Sequence, residues 1–172
     1  MENNNIVTIN FIKESENLFH EWLLRNPDQE KIVEEAIRKS CFIKRNNSNY
    51  IFYEDPILDL IKNYNVNFFD IGMINFYSED RIESSGNFTI VGHDGAGDPI
   101  AIDRKSNKIF SLDGDYNVVA FCSNSSEEFL QNLIKIGKAN TEDWSEEDRI
   151  NLAESMGDKS SEGFYLEALG VF

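Results

Sequence analysis

Near the start of the chain, apolar residues recur with helical spacing: Phe11, Leu18 and Trp22 share one stripe, with Ile12, Phe19 and Leu23 one position behind. This repeat predicts an amphipathic helix. Asn26-Pro27-Asp28-Gln29 reads as a new start, with an Asn cap, Pro at the first helical position and Gln three residues on. A second helix is expected there, turning Ile32, Val33, Ala36 and Ile37 inward. Between Cys41 and Tyr53 the apolar residues are interrupted by Arg45-Asn-Asn-Ser-Asn49, which fits a short strand or extended pair broken by a polar turn. Ile57, Leu58, Ile61 and Tyr64 then mark a third, short helix. It starts at Pro56 behind Glu54 and Asp55, where acids favour the positive helix end, and the stretch from Asn63 to Asn67 closes it.

The period then shortens. Five runs rich in Ile, Val and Phe follow: Met73 to Tyr77, Phe88 to Val91, Ile100 to Asp103, Lys108 to Leu112 and Val118 to Cys122. Each is the length of a strand and is bounded by turn residues. Ser106-Asn107 and Asp113-Gly114 are tight-turn signals, so the last three runs should form an antiparallel meander. Helical spacing returns after Ser125-Ser-Glu-Glu128, a capping box, in Phe129, Leu130, Leu133 and Ile134, and Gly137 offers a left-handed stop. Ser145-Glu-Glu-Asp148 opens another helix, with Ile150, Ala153 and Met156 inside and Gly157 after it. The segment from Lys159 to Phe172 is too apolar for a disordered tail and is expected to dock on the body or on a partner. These elements predict a single α+β domain over residues 1–172, with a central, mainly antiparallel sheet of about five to six short strands flanked by helices. The expected parts are a helical N-terminal region over 10–40, a core over about 55–137 and a helical C-terminal extension over 141–172.

Charge narrows the classes of partner. The chain has 31 acidic and 16 basic residues, a formal net charge of -15, spread along its 172 residues. Nucleic acid is a poor partner for such a surface, because its binding depends on cations set against phosphates. A basic protein suits it, although the same charge also serves plain solubility. Met1-Glu-Asn-Asn-Asn5 lacks the basic start of a signal peptide, and no apolar run approaches the roughly 20 residues needed to span a bilayer, so a cytoplasmic chain without membrane contact is expected. Cys41 and Cys122 lie among apolar neighbours without a Cys-x-x-Cys spacing, which suits buried reduced thiols.

The candidate chemistry centres on Phe88-Thr-Ile-Val-Gly-His-Asp-Gly-Ala-Gly-Asp98, which sets three glycines and two acids between two strand-like runs. A phosphate cradle is one reading. The glycine order Gly92-x-x-Gly95-x-Gly97 is the reverse of the dinucleotide fingerprint, however, and a strand follows where that motif needs a helix N-terminus. Calcium is a second reading. Asp113-x-Asp115-x-Asn117 begins like an EF-hand loop, but Val118 stands where Gly is needed and Asn124 where the bidentate Glu belongs. Asp94, Asp98 and Asp103 remain as oxygen donors for a metal or an acid-dependent enzyme, against the commoner role of Asp in holding turns. His20 and His93 are far apart in sequence, and no zinc set or nucleophile triad announces itself, so no catalytic residue, cofactor or metal is assigned. The third reading, a structural strand connection, fits the loop best. Two further acidic groups stand out: Glu79, Asp80 and Glu83 after the first strand, and Glu142, Asp143, Glu146, Glu147 and Asp148 around a helix start.

The order of elements and the glycine loop together resemble the SUKH superfamily, the SMI1/KNR4-like proteins. The residues that carry the resemblance are Ile57-Leu-Asp-Leu-Ile-Lys-Asn-Tyr-Asn65 before Ile74-Asn-Phe-Tyr-Ser78, then Phe88 to Asp98 leading into Ile100-Ala-Ile-Asp103. Lys108-Ile-Phe-Ser-Leu112 and the helix from Ser125 to Leu133 complete it. Members often carry a Leu-Pro pair before the first core helix and Asn-Gly after it; here Asp55-Pro56 and Asn65-Val66 take those places, as in a divergent bacterial member. The resemblance implies an α+β domain for protein binding without shared catalytic residues. It points to an immunity protein that neutralises a polymorphic toxin, a nuclease or deaminase, with a regulatory scaffold like the fungal cell-wall regulators as the alternative. The expected partner is a basic cognate toxin, bound by a monomer or weak homodimer. Glu79, Asp80, Glu83, Asp94, Asp98, Asp113 and Asp115 are the expected contacts.

Overall fold

The described residues of this computed structural model are 5–27, 43–46, 49–67 and 69–171. Helix α1, Ile6–Arg25, starts where Asn5 accepts hydrogen bonds from the backbone N–H groups of Val7 and Thr8. The same Asn5 amide donates to the carbonyls of Tyr53 and Glu54, and the Thr8 hydroxyl donates to that of Pro56, so the cap also fixes the chain that leads into the next helix. The helix expected from Asn26 to about residue 40, together with Cys41, falls outside the described residues apart from Asn26 and Pro27. A two-residue strand β1, Lys44–Arg45, pairs antiparallel with β2, Tyr64–Asn65. Between them lies α2, Pro56–Asn63, with Pro in its first turn. Asp55 caps it, taking the N–H groups of Ile57 and Leu58 on Oδ1 and the Ser126 hydroxyl on Oδ2 at 2.6 Å. One aspartate thus joins the starts of two helices.

The main sheet holds β3 (Asp70–Ile71), β4 (Ile74–Phe76), β5 (Glu83–Ser85), β6 (Phe88–His93), β7 (Pro99–Asp103), β8 (Ile109–Leu112) and β9 (Val118–Ser123). The order is β3-β4-β6-β7-β8-β9, with β5 pairing β6 beside β4, and every pairing is antiparallel. All five expected runs are strands, and the last three form the expected meander. The first run begins one residue late: Gly72 and Met73 both have positive φ and form the turn between β3 and β4. Strands β3 and β5 were not anticipated, because Glu83-Ser-Ser85 carries no apolar residue to reveal it and Asp70–Ile71 is too short to show a period.

Helices α3 (Ser126–Thr141), α4 (Glu146–Ser155) and α5 (Glu162–Ala168) complete the chain. The first half of the capping box forms, with Ser125 Oγ accepting from the Glu128 N–H, but the Glu128 carboxylate accepts from Asn124 N, one residue before the cap, and Ser125 N donates to Ser123 Oγ. Gly137 does not end α3, as its sequence context suggested; the helix runs four residues further. A Cβ at Gly137 would lie 3.0 Å from Leu18 Cδ1 and 3.2 Å from Ile71 Cδ1, so this glycine lets α3 approach α1 and β3 closely. The C-terminal segment docks on the body. Tyr165 is fully buried, donates its hydroxyl proton to the Cys122 carbonyl at 2.7 Å and accepts from Asn132 Nδ2 at 2.9 Å.

Two tyrosines predict how stability responds to alkali. Burial, chiefly, and the hydrogen bond to Asp59 push the Tyr50 phenol up to about 12, and burial pushes Tyr165 higher still. An unfolded tyrosine releases its proton near 10, so above that pH the unfolded chain binds fewer protons than the folded one. Stability is therefore complete below about pH 10 and lost as pH rises toward 12. Urea midpoints measured between pH 8 and 11.5 should fall only in the upper part of that range, and less steeply in Tyr50→Phe.

Candidate functional site

The two faces of the sheet differ. Val91, Ile100, Ile102 and Ile109 face the main core, together with helical residues such as Phe11, Leu60, Phe129 and Leu133. The alternate positions Ile90, Ala101 and Leu112 form a second, separate cluster under Tyr77, Phe88 and Phe110. Among the described residues, no helical side chain joins that second cluster.

Strands β6 and β8 run in the same direction, so the turns over 94–98 and 113–117 leave the sheet at one end. Glu83 pairs with Ile90 toward that same end. Its carboxylate accepts the Tyr116 hydroxyl at 2.7 Å, a bond that links β5 to the β8–β9 turn across β6 and β7. Of the acids singled out in the sequence, Glu83, Asp113 and Asp115 are therefore neighbours. Glu79 and Asp80 lie just before β5, in the 3-10 turn Glu79–Arg81, with Glu79 3.2 Å from Lys62 Nζ. A hydrogen bond from the Ser78 side chain holds the Asp80 carboxyl below the usual range.

Asp94 is committed to its own loop. Its Oδ1 accepts from Ala96 N and Asp98 N, both at 2.9 Å, so Asp94 takes the turn-holding role weighed against metal binding in the sequence. Asp113 does the same for Asp115 N and Asn117 N, and side-chain hydrogen bonding from Asn117 lowers its carboxyl. Asp103 accepts from the Ser106 hydroxyl and Lys105 N. These three carboxylates act as turn caps, each satisfied by donors within a few residues. Among the described residues, no three His, Cys, Asp or Glu side chains are grouped to hold a metal ion.

The glycines of the loop have different roles. Only Gly97 has positive φ, at 93°. Gly92 is held by sterics: a Cβ there would run into the Asn75 carbonyl oxygen of β4. A Cβ at Gly95 would run into the flexible end of the Met73 side chain and lie 3.2 Å from its Cβ. His93 closes β6 with Nδ1 2.8 Å from the Asp94 carbonyl oxygen, and His20 is exposed on α1. Cys122 is a free, fully buried thiol whose burial raises it far above the thiolate range, which makes it inert as a nucleophile.

A polar network escaped sequence reasoning. Asp59 is fully buried in α2, and its Oδ1 accepts from Tyr50 OH at 2.5 Å, Asn63 Nδ2 at 3.1 Å and Tyr53 N at 3.3 Å, while Oδ2 has no hydrogen-bond partner. The signal was present in Asp59 and Asn63, polar residues at i and i+4 in an eight-residue helix that is apolar elsewhere except at Lys62. Concave surface lies elsewhere. A groove of about 340 Å³ runs between α1, the β3–β4 turn and α3 past Phe19, Trp22 and Met73. No helix among the described residues is long and apolar enough to cross a membrane. Searches of protein-family models, curated proteins and solved structures each return no match to this chain.

Proposed function

We propose that this chain is a protein-binding immunity protein that acts in the cytoplasm and neutralises a cognate bacterial polymorphic toxin, a basic nuclease or deaminase, by covering its active site. The observation that carries this reading is the acidic balance of the chain, net charge -15, with Glu83 held through the Tyr116 hydroxyl against the turn that carries Asp113 and Asp115. A nuclease must present cations to hold phosphates, and an inhibitor with the opposite field reaches it faster. The resemblance of residues 57–137 to SMI1/KNR4-like proteins points the same way. The seven-stranded antiparallel sheet with helices on one face provides a rigid platform, suited to binding without a large change of shape.

The test uses the purified product of a toxin-like reading frame next to this gene. Tight binding is expected, with inhibition of the toxin's activity and an association rate that falls about tenfold or more between 50 and 500 mM salt, because screening shortens the reach of the acidic surface. Absence of binding at moderate salt would defeat the reading. Capture of several unrelated cellular proteins in its place would favour a regulatory scaffold.

A further inference from the structure

An antiparallel sheet with one face on the core normally turns polar residues outward on the other. Here the outward positions Phe88, Ile90, Ala101, Phe110 and Leu112 are apolar. Ile90, Ala101 and Leu112 are buried beneath Tyr77, Phe88 and Phe110, and the aromatic chain continues toward the sheet edge: Phe88 lies 6.0 Å from Phe110, which lies 5.7 Å from Phe121. Arg81 rests over Tyr77 at 4.2 Å, and Lys108 over Phe121 at 5.3 Å. Strand β9, paired only with β8 in the sheet, carries the face to its edge, where Val118 and Val119 are 52% and 59% exposed and Tyr116 is 37% exposed. Beside the Tyr116–Glu83 bond lie the carboxylate of Glu83 and the turn that carries Asp113 and Asp115.

We propose that the cognate toxin docks on this open sheet face, through a segment that sets apolar side chains on the Phe88–Phe110–Phe121 surface and lysine or arginine against the Glu83–Asp115 corner. The proposal rests on the reading under Proposed function and adds the surface and the chemistry of the docked segment. Two features select this occupant. Aromatic centres with a charged border are what tight interfaces use, the rings supplying most of the binding energy and the border the encounter rate. The excess of carboxylates at the corner repels a second copy of this acidic chain and attracts a basic one.

The test measures binding of three variants to the product of the adjacent toxin-like frame, by calorimetry and stopped flow, with thermal melts to confirm folding. Tyr116→Ala is expected to weaken binding about tenfold or more, mainly through faster dissociation. Asp115→Lys should slow association several-fold, and its side chain makes no hydrogen bond that holds the turn. Glu154→Lys makes the same charge change on the exposed side of α4 and should bind like the unaltered chain. Equal slowing of association by Asp115→Lys and Glu154→Lys would reduce the charge effect to net charge and overturn the acidic corner as a contact. Hydrogen exchange of the unaltered complex gives an answer that does not depend on variants: slowed exchange in β8, the 113–117 turn and β9 supports the face, and slowing confined to α1 or α4 overturns it. If the unaltered chain does not bind the toxin-like product at all, the immunity reading falls and the docking face with it. Binding by the unaltered chain with undiminished affinity in Tyr116→Ala and Asp115→Lys rejects the face alone.

Discussion

Gly92→Ala is expected to destabilise the fold by about 3 kcal/mol, the upper end of what overpacking costs. Its added Cβ would strike the Asn75 carbonyl oxygen and lie 3.2 Å from both the Asn75 carbonyl carbon and Phe76 Cα, all backbone atoms of β4. No rotamer change relieves such a contact. Strand β4 would have to move away from β6, where Phe76 pairs with Gly92 and Asn75 with His93, at an irregularity already present between Ile90 and Gly92. In a chain of this size the loss corresponds to a fall in Tm of about 10 °C. Gly97→Ala is the comparison: its φ is 93° but nothing lies within 4 Å of the added carbon, so backbone strain alone should cost about 1 kcal/mol. Urea unfolding of both variants checks the order, and a larger loss at Gly97 would refute the steric account of Gly92.

Removing the Asp59 carboxylate is the second large perturbation. Asp59→Ala would leave the Tyr50 hydroxyl, the Asn63 amide and the Tyr53 N–H without this acceptor, in a site where Asn63 is buried and Tyr50 and Tyr53 are half-buried. Unsatisfied buried donors cost about 1–3 kcal/mol each, reduced where the site relaxes, so a total of about 3 kcal/mol is expected. The damage should spread. Asn5 N donates to the Tyr50 hydroxyl oxygen at 2.7 Å, so the start of α1 hangs on the same network, and hydrogen exchange there should accelerate in the variant. Asp59→Asn keeps an acceptor oxygen in place and removes a buried charge whose second oxygen has no hydrogen bond, so it should stay within about 1 kcal/mol of the natural chain. Equal losses for the Asn and Ala variants would mean that charge, not the acceptor, holds the network.

Local rules account for what was legible in advance. The strands from Phe88 to Cys122 were visible because each alternates between two environments within a run bounded by turn residues, and the pattern needs no knowledge of its neighbours. The helix starts at Ser125 and Ser145 were visible because a cap is a contact between residues two or three apart. Gly137 was misread for a related reason. A glycine late in a helix has two uses, a left-handed stop or a close approach, and the choice between them lies with Leu18 and Ile71, distant in the chain. In the same way, the glycines of the 92–97 loop could be recognised as necessary, but only β4 explains why Gly92 tolerates no side chain.

The candidate site divides along the same line. Its acids and aromatics could be named from the chain, but not their grouping: Glu83 and Tyr116 are 33 residues apart and meet at 2.7 Å only because β5 pairs with β6 and the β8–β9 turn leaves the sheet at the same end. Asp94 and Asp113, offered as contacts for a partner, are largely occupied by their own turns. By itself the sequence determined the α+β class, the antiparallel meander, most helix starts and the acidic balance, since these depend on period, neighbouring residues and composition. Only the tertiary structure decided which apolar positions face the helices and which form the outer aromatic face, how the half-buried Asp55 carboxylate joins two helix starts, and that Glu83 reaches the turn carrying Asp113 and Asp115. Those are consequences of strand order and register, which bring together residues that no local pattern relates.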